Sequence, residues 1–171
     1  MSEKRLVDSG VYKNIPSLTM TERFNAANRT AAYIFVGYHK ALAEEFGEEK
    51  AIEIGKKATT IYAPLIINDV ARLIGVEQMD DLLTNARVLA VQEEQILGAA
   101  STCLEASPKR LVRSMSYCPW GEIVPPGVCT AMIEGCDLLY KTSSSYPDYK
   151  VTHDSSYHAT GICRYVVEKI K

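Results

Sequence analysis

Arg110-Leu111-Val112-Arg113-Ser114-Met115-Ser116-Tyr117-Cys118 alternates throughout: Leu111, Arg113, Met115 and Tyr117 fall on one side, Val112, Ser114, Ser116 and Cys118 on the other. A period of two puts successive side chains on opposite faces of a strand, and Pro119, with no amide hydrogen to donate, ends it. Upstream the period is different. Thr19-Met20-Thr21-Glu22 has the spacing of a capping box, in which hydroxyl and carboxylate satisfy the free amides of a helix start. Phe24, Ala27, Ala31, Ile34 or Phe35, Tyr38 and Leu42 then recur at three- and four-residue steps as far as Gly47. A second such pattern runs from Ala51 to Leu73; Pro64 is expected to kink or split it near Ala63. A third is expected from about Asp80 to Leu97, opened by the acidic pair Asp80-Asp81.

Downstream of the strand, Trp120 to Gly127, with Pro125-Pro126-Gly127, reads as a structured loop. Val128 to Tyr140 places Cys129, Met132 and Cys136 on one helical face, and Ser143-Ser144-Ser145 before Pro147 closes that helix. Lys150 to His153 and Tyr157 to Ile170 read as the arms of a hairpin bent at Asp154-Ser155-Ser156. The expected fold class is therefore α+β: a helical N-terminal half packed on a short antiparallel sheet with one further helix. Residues 1–18, containing Gly10 and Pro16, form an N-terminal arm, and 19–171 form a single domain, which is what 171 residues accommodate.

Composition narrows the class of function. Apolar residues make up 47% and charged residues 23%, and 19 basic against 21 acidic side chains leave a formal charge of -2. That balance provides no basic footprint for nucleic acid or an anionic membrane surface, and no apolar run is long enough to span a bilayer. Met1-Ser2-Glu3-Lys4-Arg5 opens on polar residues rather than a secretory segment, so a cytoplasmic location is expected. The five cysteines, Cys103, Cys118, Cys129, Cys136 and Cys163, are then expected as thiols rather than disulfides. Their spacings of 11, 7 and 27 residues from Cys118 onward include no two-to-four-residue knuckle, so no metal is expected. Glycine-rich phosphate loops and serine elbows are missing as well, and no cofactor is implied.

Cys118-Pro119-Trp120 at a strand end, Cys129 and Cys136-Asp137 on a helix, and Gly161-Ile162-Cys163-Arg164-Tyr165 in a closing strand resemble the L-2-amino-thiazoline-4-carboxylic acid hydrolase family. In outline the resemblance covers residues 20 to 170; at the level of motifs it covers about 50 residues, with cysteine spacings less specific than a paired metal signature. It implies an enzyme that hydrolyses a cyclic amidine, with a small heterocycle as its partner.

The same residues form a candidate site on chemistry alone. Ring opening of an amidine requires a nucleophile, a proton donor for the leaving atom and a partner for a substrate carboxylate. Cys118, at a strand terminus beside a loop, is the first choice of nucleophile. Cys129 is the alternative, since a helix start would favour its thiolate; Cys163, within a strand, is the third. His153 and His158, on the neighbouring hairpin, are expected to move protons near neutrality. Trp120, Glu122, Asp137 and Arg164 are expected to line the site and bind substrate. Against each stands a plainer reading. Free cysteine is a small core residue, and Cys103 and Cys136 are assigned to packing. His39 is read as surface or satisfied core, Trp120 as a core lid as readily as a pocket wall, and Arg164 as outward-facing by strand parity. The competing class of function is a non-catalytic small-molecule-binding domain of the sensory type, and the N-terminal arm leaves room for a homo-oligomer or a larger assembly.

Overall fold

The computed structural model describes residues 18–79, 81–142 and 149–170, with 135–142 described as backbone only. The arm therefore lies outside the described residues except for Leu18, as do Asp80, the serine run at 143–145 and the side chains of Cys136 and Asp137. Helix α1 (Met20–Phe46) starts at the expected capping box: the Thr19 hydroxyl accepts from the Glu22 amide at 3.2 Å, and the Glu22 carboxylate accepts from the Thr19 amide at 2.7 Å. Gly47, at φ 85°, turns the chain into α2 (Glu48–Leu73). This helix runs without interruption through Pro64, contrary to the expected split. A proline removes one amide donor, here the partner of the Thr60 carbonyl, and both residues are half-buried. The buried side, including Ala51, Thr59, Ala63 and Val70, continues past it and holds the two halves together.

Asp81 caps α3 (Leu82–Ala90), its carboxylate accepting from the Thr84 amide at 2.9 Å. The helix does not continue to Leu97 as α-helix. From Val91 to Ile96 it widens into a π-helical turn, closed by the Leu97 amide on the Gln92 carbonyl and the Ala99 amide on the Glu93 carbonyl, both at 2.9 Å. A strand missed by periodicity follows, β1 (Ala100–Ala106), then β2 (Arg110–Tyr117), α4 (Pro126–Thr142), β3 (Tyr149–Ser155), a single helical turn α5 (Tyr157–Thr160) and β4 (Cys163–Lys169). The expected second hairpin arm thus begins at Cys163, not Tyr157. The Ser156 carbonyl accepts from the Ala159 and Thr160 amides at 3.1 Å, winding one turn that Gly161 ends at φ 73°.

The four strands are antiparallel in the order β1-β2-β4-β3, which gives the expected α+β architecture. β2 and β4 form the centre, with Leu111 opposite Val167, Arg113 opposite Tyr165 and Met115 opposite Cys163. Helix α3 covers the face bearing Leu111, Tyr149, Val151, Tyr165 and Val167, around Leu82 and Ala86. Full burial of side chains such as Leu82, Leu111 and Val167 contributes about 1.5–3 kcal/mol each. The expectation that all the early helices line this face needs correcting: α1 and α2 pack chiefly on each other and on α4. Gly55 permits that arrangement, because a Cβ there would stand 2.8 Å from the Cβ of Ala131 in α4. Among the described residues no helix is long and apolar enough to cross a membrane.

Candidate functional site

Cys118 follows the last residue of β2, where Pro119 turns the chain aside. Its Sγ accepts a hydrogen bond from the Gly121 amide at 3.3 Å and a further backbone bond from Trp120. The turn is pressed against α5: a Cβ at Gly121 would lie 2.5 Å from the Tyr157 ring, so only glycine permits this approach. The Tyr157 hydroxyl lies 3.5 Å from a Glu122 carboxylate oxygen. Trp120 is buried and tilts against Phe35 of α1 at 5.3 Å between centroids, with its indole nitrogen enclosed and, among the described residues, without a hydrogen-bond partner. Cys118 and Cys129 both pack against the cluster formed by Ala32, Trp120, Val124 and Val128.

Both thiols are harder to ionise than an exposed cysteine. Burial is the main cause at Cys118, joined by the charges of Glu93 and Glu122 and opposed by the two backbone hydrogen bonds. Cys129 is pushed up to about 11, by burial and then by Cys118. The expectation that the start of α4 would favour a Cys129 thiolate is therefore overturned. Cys129 does lie in the first turn, but its amide is already committed to the Pro125 carbonyl at 3.1 Å, and the cost of desolvation outweighs the helix dipole. Tyr157 is also raised, first by burial and then by Glu122 and Cys118.

Behind this turn lies a charged cluster that periodicity did not single out. Arg113, only 3% exposed, meets Glu93 at 2.8 Å and Glu94 at 3.1 Å on the π-helical turn, and also bonds Ser101. The Tyr165 hydroxyl lies 3.5 Å away. Burial lifts the Glu93 carboxyl well above the usual range, Glu94 adds to this, and Arg113 and Tyr165 counter it. The π-helical turn brings this carboxylate to the sheet and close enough to Cys118 for its charge to be felt there. The one signal in the sequence was Arg113, a cation on the face of β2 that otherwise carries Leu111, Met115 and Tyr117.

The remaining expected residues are dispersed around this centre. Cys163 is half-buried and stands at the first position of β4 rather than mid-strand. His153 faces Tyr165 with ring centroids 5.9 Å apart. His158 is exposed on α5, edge-on to Tyr157 at 6.5 Å. Arg164 is exposed and paired with Asp154 at 3.5 Å, as strand parity suggested. His39 is satisfied core, 2.9 Å from Glu48. Cys103, assigned to packing, is instead exposed, because β1 is an edge strand that is exposed along nearly all its length. Cys103, Cys118, Cys129 and Cys163 are all free thiols, and among the described residues no three His, Cys, Asp or Glu side chains converge as metal ligands. No protein-family model matches the chain, and no curated protein matches it.

Proposed function

We propose that the chain is a hydrolase that opens a small cyclic amidine or related C–N heterocycle, with the Cys118 thiol as nucleophile. The observation that carries this reading is the Cys118 turn, in which backbone amides grip Sγ while a buried carboxylate, Glu93, stands within electrostatic reach. A carboxyl held above its usual range is a better base than an exposed one. In the proposed step the thiol proton passes to Glu93 as the carbon–sulfur bond forms. Moving that proton removes the negative charge that opposes Cys118 ionisation, so the pair exchanges one charge for another without burying a second. The carbon–nitrogen bond then breaks, Glu93 returns the proton to the leaving nitrogen, and water releases the product from Sγ. Tyr157 and Glu122 border the turn and are proposed to orient the heterocycle, with His158 beside them. A cytoplasmic setting is part of the proposal, since it keeps the thiols reduced.

A second reading, a small-molecule-binding domain without turnover, is favoured by one observation: Cys118 and Cys129 are both shifted toward the neutral thiol. The two separate in one experiment. Purified protein is incubated with a panel of cyclic amidines, following ring opening by chromatography and adducts by intact mass. The hydrolase reading expects turnover that Cys118→Ser abolishes while the far-ultraviolet spectrum persists. Binding without turnover by the parent protein would establish the second reading. Full activity in Cys118→Ser, with loss in Cys129→Ser or Cys163→Ser, would move the nucleophile.

A further inference from the structure

Helix α1 turns one face to the core through Ala32 and His39, and the described residues leave another uncovered that is not the usual solvated surface. Ile34 is 53% exposed and Tyr38 71% exposed at its centre. Gly37, between them, has nothing within 4 Å of where a Cβ would stand. A mid-helix glycine costs up to about 1 kcal/mol against alanine, and among the described residues no contact requires one here. Along the same stripe the spacing is symmetric about Ile34. Ala27 and Ala41 lie seven residues to either side, and Arg23 and Glu45 lie eleven to either side. All are exposed, and seven and eleven residues are both near-whole numbers of helical turns.

We infer that α1 is a homodimer interface, pairing antiparallel with α1 of a second copy about a two-fold axis at Ile34. In that register Ile34 meets its own equivalent, and Ala27 faces Ala41 on both sides of the axis. Arg23 faces Glu45 at each end, so the opposite charges pair twice in one isologous contact. The small side chains at 27, 37 and 41 allow the helix axes to approach closely, while Tyr38, opposite Thr30, covers the seam. Charge complementarity of the stripe with its own reverse points to a second copy: an unrelated partner would not require opposite charges at equal distances from one central residue.

Sedimentation of the full chain across a wide concentration range tests this. The parent protein is expected to be dimeric and Ile34→Arg monomeric. Arg23→Glu should weaken association about tenfold or more by opposing two pairs of acids, and Arg23→Glu combined with Glu45→Arg should restore it. Each of those charge changes suits its end of the isolated helix, so lost helicity does not account for weaker association; far-ultraviolet spectra check this. A parent protein that is monomeric throughout would overturn the inference. So would a dimer unaffected by Ile34→Arg, or a double variant no tighter than Arg23→Glu alone.

Discussion

At Cys118 the fold sets a short sequence motif and its surroundings against each other. Two backbone hydrogen bonds favour the thiolate, while burial and the Glu93 and Glu122 carboxylates disfavour it, and the second group wins. Iodoacetamide at neutral pH should therefore label exposed Cys103 well before Cys118, and Cys129, with a pKa of about 11, more slowly than Cys103; peptide mass spectrometry of a time course measures this. Glu93→Gln tests the other side of the balance. It removes one of the charges that raise Cys118, so Cys118 in that variant should reach half-maximal alkylation at lower pH. Stability should respond as well. Because burial raises Glu93 in the folded state, the native protein holds this proton more tightly than the unfolded chain does. Stability is then lost as pH rises from about 4.5, the ordinary carboxyl value, through the folded-state value. Melting curves over that range should fall more steeply with pH for the parent protein than for Glu93→Gln.

Individual elements depend on local devices and on single close approaches. The capping box of α1 is entirely local, and Thr19→Ala should cost about 0.5–2 kcal/mol of stability in denaturant titrations. The contact of α2 with α4 depends instead on two positions 76 residues apart in sequence, Gly55 and Ala131. Gly55→Ala improves the helix propensity of α2 yet places a methyl group 2.8 Å from Ala131. Forcing two backbones apart costs about 1–3 kcal/mol, more than propensity returns, so the variant should unfold at lower denaturant. The π-helical turn after α3 is a third case. Nothing in Val91–Ile96 marks it as different from the α-helix it extends, and its role is visible only where Glu93 and Glu94 reach Arg113.

At the scale of the molecule, β2 and β4 meet under α3 at the fully buried Leu111 and Val167. Helix α1 packs chiefly on α2, with its first turns exposed. Amide hydrogen exchange should accordingly be slower in the β2–β4 ladder than in the first turns of α1, with protection in the middle of α1 rising with protein concentration if its outer stripe pairs with a second copy.

Hydrophobic period, caps and turn residues are local properties, and from them the sequence alone determined the helical first half, the strand ending at Cys118, the helix carrying Cys129 and an antiparallel closing sheet. β1 escaped because Ala100–Ala106 is mostly exposed and has no alternation to read; its strand character comes from pairing with β2. The division of Tyr157–Lys169 into a helical turn and a strand depended on how Gly161 sits between them. The cysteines were visible as candidates, but their ionisation was not, because desolvation and the charge of Glu93 arise only when remote segments converge. The same reason hid the Glu93–Arg113–Tyr165 cluster. Its members come from a π-helical turn and two neighbouring strands, and a pattern that repeats along one element carries no information about what the next element brings to it.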